Sequence, residues 1–386
     1  MVCAFSVREF SDSWLRRMGG WFWDLEVYER ALSAHGRGTD PYYTGVLLPF
    51  VYHPVVLRLL ALLDSIGSLR VVLIALTVGA VIWLSREVMY TTTHPQGGEA
   101  GSRSFGPMHY LVAFAMACAF GGVGVTACMS GNVSVTMHFA MMAALLRGGR
   151  PGGLFFRFLP FGLLVLCSLV KPFFLAYLAV PVLLYERRLT ALACSFVVVA
   201  LFGVLWYGFE VYWPGEYAHF QLNVVRLLSD QDPWYSFFYV FCALTGSRPL
   251  SLAAHCVMSV LMIVLVLRLF RQRFGRDVPF APQLLVLYGV LTLASPRVKE
   301  YDLFPVLVGL FLALDLLTPL ALRLILISVM LTLIPLPIVM GADAPHPPGF
   351  SPVASWQAFA LLFLGVAFLW IMEPQQKPQV DVRMRA

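Results

Sequence analysis

From Leu69 onward the chain alternates long apolar runs with short polar breaks, whereas the stretch before it mixes aromatic, charged and apolar residues without a run of that length. A bilayer core takes about 20 apolar residues per helix, and somewhat fewer at the minimum. On that basis spans are predicted at 69–86, 108–128, 133–147, 154–170, 173–185, 189–209, 249–268, 279–294, 303–317, 320–340 and 354–372. Those at 133–147 and 173–185 are short, and tilt or partial re-entry would accommodate them. The apolar segment 47–66 is not read as a span, because Pro49, His53, Pro54, Arg58 and Asp64 interrupt it. Pro54 suits a first helical turn, and the roughly ten residues after it reach about half a crossing at 1.5 Å per residue. An interfacial helix on the outer surface is expected there. The chain is therefore expected to be all-α, a single-domain polytopic transmembrane helical bundle of about eleven spans plus that interfacial helix. Residues 21–68 form the first external loop, 69–372 the bundle and 373–386 a cytoplasmic tail. No internal repeat is visible, so the inverted-repeat signature of many secondary transporters is not seen.

Composition narrows the class. Of 386 residues, 59% are hydrophobic and 12% charged, about half the charged fraction of a soluble domain, which excludes a water-soluble globule. The net charge of +6 matters through its location. Arg147/Arg150/Arg157, Glu186/Arg187/Arg188, Arg268/Arg271/Arg273/Arg276 and Lys377/Arg383/Arg385 all fall on one face of the predicted topology. The positive-inside rule makes that face cytoplasmic, so the basic balance says nothing of nucleic acid. A multi-pass protein of the cell (inner) membrane is expected, with any active site on the periplasmic or extracellular side. Residues 1–20 lack the apolar core of a signal peptide. With the following loop outside, either the N-terminus is external without an obvious export signal or a first membrane helix is missing from the start, and the second is the expectation favoured. Seven scattered cysteines show no CxxC and no metal-ligand spacing, and read as small hydrophobes. No metal and no cofactor is expected.

The outward-facing charged residues are Asp24, Glu26, Asp40, Lys171, Arg297, Lys299, Glu300 and Asp302, with Tyr28, Tyr42, Tyr52, His53, Asn132 and Tyr301 nearby. Charges beside membrane spans are costly and mark functional candidates. Carboxylates on one element and cations on others suit transfer of a group from a phosphate leaving group: the acid takes a proton from an attacking hydroxyl, and the cations neutralise the departing phosphate. Each residue also has a structural reading. Asp24 can be a helix-end carboxylate, Asp40 in Gly-Thr-Asp-Pro a turn cap, and Lys171 a snorkelling side chain. Arg297 and Lys299 can belong to a solvated loop, and Asn132 can bridge helices.

The segment WDLEVYERA, followed by GTDPYY and LPFVYHP, resembles the N-terminal signature of glycosyltransferase family 87, membrane enzymes of the GT-C class. Gly131-Asn132 is similar to that family's Gly-Gln element, LVKPFFLAYL to its Lys-Pro element, and SPRVKEYDLFPVL to its late motif. His53 stands where a first Pro is usual. The resemblance implies a GT-C bundle that transfers a hexose, typically mannose, from a polyprenyl-phosphate sugar donor to a lipid-linked or glycan acceptor hydroxyl on the non-cytoplasmic face. On this reading Asp24, assisted or replaced by Asp40, is the base. Tyr28, Tyr42, Tyr52, His53, Asn132, Lys171, Arg297, Lys299 and Tyr301 bind substrate. The expected partners are the donor, the acceptor and membrane lipid, with no nucleic acid. A transporter or flippase of a lipid-linked or anionic substrate is the second class of reading, and a noncatalytic partner in a glycan-synthesis complex the third.

Overall fold

The computed structural model describes residues 22–42, 50–93, 130–229, 245–269 and 280–317, apart from 297, with a few single positions between these segments. The predicted spans at 320–340 and 354–372 and nearly all of 108–128 lie outside the described residues, as do Arg297 and the C-terminal tail. Among the described residues the elements are all helical: α1 (Trp23–Gly36), α2 (Pro54–Ile66), α3 (Leu69–Thr93), α4 (Val133–Gly148), α5 (Leu154–Val170), a 3-10 segment (Pro172–Leu178), α6 (Ala179–Leu184), α7 (Arg188–Tyr212), α8 (Pro214–Ser229), α9 (Arg248–Leu269), α10 (Phe280–Leu293) and α11 (Glu300–Leu317).

Three of these, over Leu69–Tyr90, Arg188–Tyr212 and Arg248–Arg268, are long and apolar enough to cross a membrane. Their outward faces carry large apolar side chains in the open, such as Ile82 on α3, Phe196 and Val204 on α7, and Val257 and Val264 on α9. A water-facing helix would show polar residues there, so the pattern is compatible with a membrane helical protein. Inside this ring α4 and α10 are buried on nearly every side, and α11 packs against both.

Three sequence expectations need correction. The first external loop is not only a loop plus the α2 helix, because Trp23–Gly36 is helical too. Its buried Leu25, Tyr28 and Ala31 recur at three-residue spacing and seat it on α2. The stretch left between the predicted spans at 189–209 and 249–268 is not all loop but contains α8, whose Tyr217 and Phe220 pack into the same cluster as Tyr52, Val56 and Leu60. The span read at 173–185 is a 3-10 segment that opens on Pro172, followed by a six-residue helix that contains Pro181. The helix expected after Pro54, by contrast, forms over Pro54–Ile66 with Pro at its start.

The chain directions give the bundle two distinct ends. Thr77 meets Thr136 at 2.5 Å and Glu87 meets Arg150 at 2.7 Å, so α3 and α4 run parallel. α5 returns toward the start of α4 and breaks at Lys171, ahead of Pro172. α10 begins beside Gly149 and Tyr185, and α11 starts where α10 ends. One end thus gathers Arg150, Arg157 and Arg187, and the other gathers α1, α2, Asn132, Lys171 and Asp302.

Candidate functional site

Asn132 organises the second end. As N-cap of α4 its Oδ1 accepts from Ser134 N at 2.9 Å, which locks the amide. Its Nδ2 is then committed to two donations, to Asp24 Oδ2 at 3.0 Å and to the Tyr52 hydroxyl at 3.0 Å. Gly131, at φ 66°, makes the turn that aims it. The Val133 amide donates to the Tyr28 hydroxyl at 3.5 Å, which donates to Tyr52 at 3.2 Å. Tyr52 accepts from both Tyr28 and Asn132, and among the described residues no acceptor takes its own proton. Burial pushes the Tyr52 phenol well above its ordinary value, with the charge of Asp24 adding to the effect and that of Asp302 acting the same way. Tyr52 is therefore a neutral donor within electrostatic reach of both carboxylates.

The second group lies deeper along α4. Asp302 Oδ1 accepts from Lys171 Nζ at 2.6 Å and from His138 Nε2 at 3.3 Å, while Oδ2 accepts from the Lys299 amide at 3.2 Å. The last contact is one half of a capping box at the start of α11. A carboxylate only accepts, so His138 carries its hydrogen on Nε2, and Nδ1 takes the Tyr288 hydroxyl at 2.7 Å. The Lys171 ammonium sits 4.2 Å from the centre of the Tyr301 ring.

The predicted residues thus divide. Asp24, Tyr28, Tyr52 and Asn132 form one hydrogen-bonded set; Lys171, Lys299 and Tyr301 meet around Asp302. Asp40 is elsewhere: it accepts from the Tyr42 amide at 2.9 Å and pairs with His219 of α8. Tyr42 and His53 build walls. The Tyr42 hydroxyl donates to the Tyr52 carbonyl at 3.0 Å, and His53 caps α2 from a nest of Trp206, Phe209, Tyr217 and Phe220. Arg297 lies outside the described residues.

Behind Asn132 an apolar groove of about 420 Å³ runs between α3 and α4, with Arg70 and Gly131 at its head and Ile74, Val78, Ile82 and Phe139 along it. Arg70 is held by Glu29 at 3.3 Å. No protein-family model, curated protein or solved structure matches the chain. What the site can do is therefore read from its own chemistry. A half-buried carboxylate fixed by an amide can take a proton, a buried phenol can donate one, and an ammonium at the same end can offset a developing negative charge. Among the described residues no group of three or more His, Cys, Asp or Glu side chains is placed to hold a metal ion.

Two residues of this network escaped the sequence reading as site members. Asp302 stood in the outward-facing charged set without a role, and His138 was passed over inside an apolar run. The available signal was the cost of placing an ionisable side chain in a membrane helix, which implies a partner.

Proposed function

We propose that this chain is a multi-pass membrane glycosyltransferase that moves a hexose, mannose in the first instance, from a polyprenyl-phosphate donor to a hydroxyl of a lipid-linked or glycan acceptor. The observation that carries the reading is the hold of Asn132 on Asp24, at the same end of the bundle as Lys171 and Lys299. In the reaction Asp24 takes the acceptor hydroxyl proton, and the acceptor oxygen bonds to the anomeric carbon as the bond from that carbon to the phosphate oxygen breaks. The electron pair leaves on the polyprenyl phosphate, whose charge Lys171, Lys299 and Arg297 offset. Tyr52 donates to the sugar or the acceptor and orients it. The apolar groove beside Asn132 suits a lipid tail that stays in the bilayer during the transfer. By the positive-inside rule the arginine-rich end is cytoplasmic, which sets this chemistry on the outer side.

The test uses membranes containing the full chain and radiolabelled polyprenyl-phosphate hexose. The wild type should move label into a new glycan, and Asp24→Asn should not, at equal expression; full activity in that variant would end the assignment of the base. Single-cysteine labelling at positions 24 and 171 from outside intact cells tests sidedness separately. The buried chain Lys171, Asp302, His138 favours a carrier as the second reading, because ionisable groups deep in a bundle also serve transport. Labelled lipid that crosses vesicles unmodified would select it.

A further inference from the structure

The arginine-rich end of the bundle holds a second cavity, of about 410 Å³, between the starts of α5 and α7. Arg150, Arg157, Arg187 and Thr190 stand on its wall, with Glu186 the acid among the described lining residues. Arg150 is engaged by Glu87 at 2.7 Å, so its charge is largely offset. Arg157 and Arg187 enter no ion pair among the described residues, and they outweigh Glu186. Neither helix start carries a side-chain cap, Gly153 and Arg187 being the N-cap residues, so the positive ends of both helix dipoles add to the field of the arginines.

The surroundings say what kind of anion fits. Leu154, Phe158 and Leu189, on the same two helix starts, are 70%, 48% and 83% exposed. A free inorganic anion would gain nothing from this apolar rim. A molecule with a charged head and hydrocarbon tails would satisfy both parts. We propose that the cavity binds the headgroup of an anionic phospholipid, its phosphodiester between Arg157, Arg187 and the Thr190 hydroxyl and its acyl chains along the exposed apolar flanks of α5 and α7. The proposal rests on the membrane embedding of the bundle and is independent of the chemistry at Asp24, which lies at the opposite end.

The test takes the full chain purified in detergent and adds phosphatidylglycerol, phosphatidylcholine or inorganic phosphate, reading retained lipid by native mass spectrometry and protection by thermal unfolding. Phosphatidylglycerol should be retained and should raise the melting temperature, and the other two should not. Each arginine near an anionic lipid surface is worth about fivefold, so Arg157→Gln with Arg187→Gln should weaken retention roughly thirtyfold at most, and less with partial screening. Thr190→Trp, which fills the cavity without removing a charge, should displace the lipid as well, and Arg188→Gln, off the cavity wall, should bind as the wild type does. Equal retention of phosphatidylcholine, equal protection by inorganic phosphate, or unchanged phosphatidylglycerol binding in both the double variant and Thr190→Trp would overturn the proposal.

Discussion

Lys171 and Asp302, 131 positions apart in the chain, meet at 2.6 Å and tie the break after α5 to the first turn of α11. The Asp302 side chain is 2% exposed and that of Lys171 17%, so removing either partner strands a buried charge. Such a loss costs roughly 3–5 kcal/mol, whereas removing both together costs far less. Lys171→Met and Asp302→Asn should each lower the melting temperature in detergent, and the double variant should lose clearly less than the two singles added together. Strict additivity in that cycle would show that the two side chains do not stabilise each other.

Asn132 joins two roles that one pair of substitutions separates. Asn132→Asp keeps an oxygen to accept from Ser134 N, but sets a carboxylate 3.0 Å from Asp24, where two like charges resist ionising together. The acid limb of the transfer rate against pH should move upward by about one unit or more. Asn132→Ala should instead lose the cap, at a cost of about 1 kcal/mol, and leave Asp24 unheld. If Asn132 only capped the helix, Asn132→Ala alone would be clearly less stable and neither variant would move the pH profile.

How much of this was legible before the structure depended on the type of signal. The limits of α5, α7 and α9 follow from predominantly apolar runs bounded by Gly, Pro or Arg, and the predicted boundaries of all three lie within three residues of the observed ones. α1 and α8 were missed because the search was for bilayer-length runs, and both are short helices that bury one face in the same cluster, α1 with Glu29 and Arg30 on its open face. The repeat through Leu25, Tyr28 and Ala31 would have revealed α1 to a search at helical period. Pairings between distant segments were not legible at all. Asp40 and His219, or His138 and Asp302, are brought together by helix packing, and nothing local in either segment names its partner.

His53 makes acidity a probe of the seam between α2 and α8. Burial among the rings pulls its imidazole from the ordinary 6.5 to about 4, with the nearby Arg58 charge acting the same way. An unfolded histidine takes a proton near pH 6.5, while the folded one stays neutral until about pH 4. Its contribution to stability is therefore complete above pH 6.5 and is lost as the pH falls from there toward 4. The melting temperature of the wild type should decline across that window. His53→Phe gives up the cap to Val55, so it should melt lower at neutral pH but show a flatter decline. An identical slope in the variant would assign the acid sensitivity to other groups.

Gly131 and Phe22 face each other, both at φ 66°, and a Cβ on Gly131 would stand 2.9 Å from the Phe22 ring. The left-handed backbone alone makes Gly131→Ala cost roughly 1–2 kcal/mol. The contact adds a second effect, because Phe22 is the N-cap of α1 and the residue two positions before Asp24. Pushing its ring away shifts the start of α1 and draws Asp24 from the Asn132 amide. Gly38 separates the two effects: it also has a positive φ, of 71°, but open space where a Cβ would go. Gly38→Ala should lower stability while transfer per folded molecule stays near wild type, and Gly131→Ala should lose transfer well beyond its loss of folded protein. Equal specific activities in the two variants would mean that the position of Asp24 does not depend on the packing between Gly131 and Phe22.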